Sequence, residues 1–102
     1  AVRLELNMQL TSLTSLGVVC EDNCYIEQDV ASTLDVANIS FKSANSMSVY
    51  LFDVVVEELL IVADEGDTTL ERLNLLNHAY INHESGSLRT VLVNDAMLHW
   101  SQ

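Results

Sequence analysis

The chain has no proline and only three glycines among its 102 residues. That composition excludes a proline- or glycine-rich linker, so residues 1–102 are expected to form a single compact domain. Basic residues are almost as scarce: Arg3, Lys42, Arg72 and Arg89 stand against 15 acids, for a net charge of −11. Affinity for phosphate backbones or anionic lipid needs clustered Lys and Arg, and so nucleic acid and the membrane surface are excluded as expected partners. The apolar stretches 54–56 and 59–63 are split by Glu57-Glu58, and no run reaches the roughly 18 residues of a membrane-spanning helix. No basic region precedes an apolar segment at the N-terminus, so no signal peptide is read and a cytoplasmic location is expected. Two cysteines, Cys20 and Cys24, are too few for a disulfide scaffold and are expected to be reduced.

What is present is apolar patterning. Residues of apolar type make up 49% of the chain, enough for one core. From Thr68 to Ile81 the apolar positions Leu70, Leu73, Leu76, Tyr80 and Ile81 recur at three- and four-residue intervals behind Asp67 or Thr68 as N-cap, which predicts an amphipathic helix. After the turn Glu84-Ser85-Gly86-Ser87 the period changes to two, with Leu88, Thr90 and Leu92 on one side, which predicts a strand.

The first sixteen residues fit either period. Val2, Leu4, Leu6, Met8 and Leu10 alternate as a strand would; Leu6, Leu10 and Leu13 form a helical stripe. Helix propensity and Gly17 at the C′ position favour a helix ending near Leu16. Val18–Cys20 and Cys24–Gln28 flank Glu-Asp-Asn as a short hairpin would. Thr33–Phe41 reads as a strand, and Met47–Val56 as a strand apolar on both faces. No internal repeat is read. The predicted fold class is α+β, an antiparallel sheet with one N-terminal helix and one helix between strands.

The segment Leu70-Glu-Arg-Leu-Asn74-Leu-Leu-Asn77, followed by Gly86, Leu88 and a strand, resembles the small class I type III secretion chaperones. In that family a helix carrying a Leu-Asn pair precedes a strand, and Leu73-Asn74 or Leu76-Asn77 fills that place here. The resemblance covers about a quarter of the chain. It departs from the family in leaving no room for the further strand and C-terminal helix that members usually carry. It implies a homodimer, no catalysis, and binding of an extended segment of a secreted effector.

Function is therefore expected to be that of a non-catalytic chaperone or adaptor for a secreted or regulatory protein partner. The alternative is an acidic inhibitor or regulator of the antitoxin, immunity or nucleic-acid-mimic type, occupying a basic groove on another protein. Leu10 and Leu13 on the first helix, with Val49 and Leu51 on the strand, are the expected partner-binding lining. Leu73, Leu76 and Trp100 are the expected dimer interface, because the helix is apolar over more than one stripe and a Trp near a terminus needs something to dock on. Aromatic contacts from Tyr50 and Phe52 are a further candidate. No G-x-S-x-G, P-loop or dinucleotide fingerprint occurs, so no enzyme and no cofactor are expected. Cys20, Cys24, His78 and His83 offer zinc-type donors, but more than fifty residues part the two pairs, and no metal is expected.

Overall fold

A computed structural model describes residues 2–6, 10–28, 34–92 and 97–101. Among these residues every regular element is a strand: β1 (Val2–Leu6), β2 (Leu10–Cys20), β3 (Cys24–Gln28), β4 (Leu34–Ser43), β5 (Met47–Phe52), β6 (Val54–Leu92) and β7 (Met97–Ser101). All pairings between them are parallel, in the order β1-β3-β5-β6-β4-β2 with β7 also on β6. At about 3.3 Å per residue the 39 residues of β6 would run roughly 130 Å if straight. The molecule is only 29 Å along its longest axis. Thus β6 must wind, and the described residues form a β-solenoid.

The ladders set the pitch of the winding. Ile26 pairs with Val49, Val49 with Thr68, Leu10 with Leu34 and Ala79 with Leu98, so each coil takes 19–24 residues. β1, β3, β5 and residues 68–71 of β6 stack as one wall. β2, β4, residues 54–62 and 78–82 of β6, and β7 stack as the other. Inward residues lie over their counterparts one coil away. Ile26 and Val49 are wholly buried in one column, and Phe41 and Ile61 in another. Each such aliphatic or aromatic side chain contributes about 1.5–3 kcal/mol by leaving water. Two of the buried polar groups sit where the chain turns: the Ser43 hydroxyl donates to the Asp22 carbonyl at 2.9 Å, and Gln28 Oε1 accepts from the Phe52 amide at 2.8 Å.

These findings overturn the α+β antiparallel expectation. Thr68–Ile81 is strand, not helix. Its inward residues are Thr68, Leu70, Leu73, Leu75, Ala79 and Ile81, while Leu76 and Tyr80 are exposed. The three- and four-residue spacings arise where the strand rounds a corner, from Leu70 to Leu73 past Arg72 and from Leu75 to Ala79, not from a helical turn. The N-terminal segment is strand too, its placed parts lying in β1 and β2. No hairpin joins β2 to β3. β2 pairs with β4 while β3 pairs with β1 and β5, so the turn at 21–23 passes the chain from one wall to the other. Cys20 and Cys24 close that turn as a disulfide, which corrects the expectation of reduced thiols. Among the described residues no helix is long and apolar enough to cross a membrane.

A candidate binding face at the solenoid bend

The second wall bends once in each coil. On either side of the bend the residues point inward, Val36 then Ile39, Val56 then Leu59, Leu75 then Ala79. Between them two or three consecutive residues face out or lie half-buried: Ala37-Asn38, Glu57-Glu58 and Leu76-Asn77-His78. The parallel register puts Asn38 level with Glu58, and the third group adjoins the second where Asn77 and Glu58 meet.

Side chains link the coils along this ridge. Glu58 Oε1 accepts from Asn77 Nδ2 at 3.0 Å and lies 3.9 Å from His78 Nδ1. The His78 ring meets the His99 ring edge-on, centroids 6.5 Å apart. Asn38 Nδ2 donates to the Thr14 carbonyl at 3.5 Å, and within one coil Asn82 Nδ2 donates to the Tyr80 hydroxyl at 3.2 Å. Three shallow grooves adjoin there. One of about 280 Å³ runs between Asn38, Ser40, Glu58, Leu60, His78 and Tyr80. A second of about 410 Å³ is bounded by Asn38, Glu57, Glu58, Leu76 and Asn77, and shares Asn38 and Glu58 with the first. A third of about 260 Å³ lies across the bend beside Asp35, Ala37 and Val55, and shares Glu57 and Leu76 with the second. Leu76 is 57% exposed and Tyr80 39%, two of the three large apolar side chains that face solvent among the described residues. The ridge thus offers two apolar anchors, two carboxylates, two amides and an imidazole over three coils. That set suits recognition of an extended chain by contact and hydrogen bonding.

The expected site residues are scattered by the fold. Val49 and Leu51 are inside the solenoid, 0% and 1% exposed, as is Leu73 at 1%. Leu76 alone of the expected dimer set has its side chain placed at the surface. Leu10 and Leu13 pair through β2 with Leu34 and Val36, and Trp100 pairs through β7 with Ile81; their side chains lie outside the described residues. The four zinc-type donors do not converge: the cysteines are bonded to each other, His78 is on the outer ridge, and His83 is buried with Nε2 2.9 Å from Thr68 Oγ1. Among the described residues no group of three or more His, Cys, Asp or Glu is placed to hold a metal ion.

A second outer surface lies on the first wall. Tyr25 and Tyr50 stack at 5.5 Å, Arg3 covers Tyr25 at 5.3 Å from its centroid, and Arg3 pairs with Glu27 at 2.6 Å. Desolvation, then the neighbouring Glu27 charge, raise the Tyr25 hydroxyl above its ordinary range. Glu58, Asn77, His78 and Tyr80 were not legible as a set in the sequence. The available signal was the doubled outward step at 37–38 and 57–58, twenty residues apart. No family model, no curated protein and no solved structure matches the chain.

Proposed function

We propose that the protein is a non-catalytic adaptor or chaperone that holds an extended, basic segment of a protein partner along the ridge at 38, 57–58 and 76–80. The observation that carries this reading is the placement of exposed Leu76 and Tyr80 beside Glu57 and Glu58 in adjoining grooves. Apolar anchors supply contact area, and the carboxylates select a partner of opposite charge. With Arg3 and Arg72 already engaged by Glu27 and Asp53, little on the surface competes for that partner.

The second reading, an acidic inhibitor seated in a basic groove of another protein, is favoured by a different feature. Glu21-Asp22, Asp64-Glu65, Asp67 and Glu84 are exposed at the turns between the walls, with no Arg or Lys among them. The bonded cysteines support a compartment in which thiols are oxidised, rather than the cytoplasm expected from the sequence.

Panning a random twelve-residue peptide library on the folded protein tests the first reading. Enriched peptides should combine apolar and basic residues. Leu76→Ser, and separately the pair Glu57→Gln with Glu58→Gln, should each weaken a selected peptide by roughly tenfold, equivalent to about 1.4 kcal/mol. Peptides that bind all variants equally would remove the ridge from the site. Binding lost only when Asp64, Glu65 and Glu84 are neutralised would favour the second reading.

A further inference from the structure

We propose that the outer face of the second wall beyond the bend, formed by residues 17–19, 40–42, 60–62 and 80–82, docks an amphipathic, basic helix of a protein partner. The ladders place Val19 beside Lys42 and Lys42 beside Val62, while Tyr80 shares a groove with Leu60. Strand alternation turns Phe41, Ile61 and Ile81 into the core, and so the residues on either side of each face out. Val19 is 81% exposed, and Leu60 and Val62 are half-buried. Parallel sheets are ordinarily covered on both faces; among the described residues this wall is covered on its inner face alone. The face runs along the side of the solenoid, so coils added above or below would lengthen it without covering it.

Charge decides the occupant. The chain carries −11, yet no Asp or Glu stands at 17–19, 40–42, 60–62 or 80–82, where Lys42 is the one Lys or Arg. Carboxylates line both edges of the face instead. Glu57 and Glu58 are exposed at the bend that leads into it. At the other edge the turns are stacked: the Ala44 amide donates to the Cys20 carbonyl, the Asp64 amide to the Asn45 carbonyl, and Gly86 lies on Gly66. That column of turns exposes Glu21, Asp22, Asp64, Glu65 and Glu84. An apolar strip between two acidic margins is complementary to a helix whose apolar stripe is flanked by Lys and Arg. A second copy fits worse, because face to face its acidic margins would meet those of the first. The dimensions agree. From Leu59 to Ala63, bend to turn, the strand spans about 16 Å, against the 10–12 Å diameter of a helix. Four coils spaced about 4.8 Å apart offer roughly 19 Å, the length of about thirteen helical residues. The groove of about 280 Å³ at the bend edge, between Ser40, Leu60 and Tyr80, receives one apolar side chain of that helix. The face borders the ridge and shares Glu58 and Tyr80 with it, but it takes a helix rather than an extended chain and does not rest on the ridge reading.

The experiment is calorimetric titration of the full chain, at physiological salt, with a synthetic peptide of about fourteen residues in which Leu and Lys are spaced to form one apolar helical stripe. A peptide of the same composition, scrambled to have no stripe, is the control. The native protein should bind the striped peptide roughly tenfold more tightly than the scrambled one, and the bound peptide should show helical circular dichroism. Leu60→Ser with Val62→Ser leaves the charge unchanged and should weaken binding roughly tenfold, whereas Lys42→Met removes the one opposing charge and should strengthen it. Equal affinity of the two peptides, or of the double variant and the native protein, would mean plain attraction between opposite charges and overturns the inference. Leu76→Ser should leave binding unchanged; a loss there as large as in the double variant moves the peptide to the ridge and also overturns it. Sedimentation of the protein alone covers the remaining occupant, since a dimer dissolved by Leu60→Ser with Val62→Ser would give the face to a second copy. Should the double variant fail to fold, exposed Lys42 decides the question, and an affinity unmoved by Lys42→Met overturns the inference.

Discussion

Asp53 and Arg72 occupy equivalent corners of successive coils, both with left-handed backbone, φ 51° and 53°, and their side chains form a two-pronged ion pair at 2.5 and 2.8 Å. Two non-glycine residues in that conformation are unusual, since the Cβ crowds the following carbonyl. The corner is what forces them there: Asp53 ends β5 and leads into β6, and its amide donates to the Glu71 carbonyl at 3.0 Å. Hydrogen bonding to Arg72 holds the Asp53 carboxyl below its ordinary range. Its contribution to stability is therefore present above about pH 4 and is lost as pH falls further. Thermal melts at neutral pH should rank Asp53→Asn close to the native protein and Asp53→Ala clearly below both, because Asn tolerates the left-handed conformation. Equal melts for Asn and Ala would show that conformation does not matter at this corner.

His83 should make the fold sensitive to mild acid. Burial lowers its pKa, outweighing the Ala63 backbone interaction and the Asp67 charge that raise it. The unfolded state, with an ordinary histidine pKa near 6.5, takes up a proton that the folded state resists. Stability is thus full above about pH 6.5 and declines as pH drops below it. Urea midpoints at pH 7.5 and 5.5 should differ for the native protein and much less for His83→Ala, whose residue matches Ala63 one coil earlier. A midpoint that does not move in the native protein would refute this.

Glycine is required at two turns and not at a third position. A Cβ on Gly66 would run into the Met47 carbonyl, and one on Gly86 into the Gly66 carbonyl, both at positive φ of 150° and 136°. Gly66→Ala and Gly86→Ala should each destabilise by roughly 3 kcal/mol or more. Gly17→Ala, whose Cβ would approach nothing nearer than the Ser40 carbonyl at 3.9 Å, should be close to neutral. Denaturant titration of the three variants checks the contrast.

Reduction of Cys20–Cys24 should weaken the fold only modestly. The bond closes a loop of about five residues, for which chain entropy gives about 2 kcal/mol. The melting temperature should therefore fall in dithiothreitol while the circular dichroism of the sheet persists at room temperature. Complete unfolding on reduction would assign the bond a far larger role.

The sequence carried the strands in pieces but not their arrangement. Met47–Phe52 alternates cleanly and is strand, and the turn at Gly86 before Leu88 lies in a coil turn. From Thr68 to Ile81, however, corners insert outward residues into a period of two, and the resulting 2, 3, 2, 4, 2 spacing imitates a helix. The coil repeat was equally hidden. It is 23 residues from Ile26 to Val49 and 19 from Val49 to Thr68, and only inward positions recur, as different residues. Interchangeable Leu, Ile and Val satisfy one column, so identity at a fixed spacing is not required. The outer ridge was illegible for a further reason: Glu58, Asn77 and Tyr80 come together only once the pitch is known.

The parallel register also makes the molecule a ruler. Outward side chains along the ridge recur once per coil, at the roughly 4.8 Å separation of neighbouring strands, whereas an extended polypeptide lying across the coils advances about 3.3 Å per residue. The two scales come nearly into step when three residues of the guest pass two coils of the host. A guest threaded along the ridge would come level with a coil again at every third residue, and adding or removing one whole coil would change the length of guest held without altering that step.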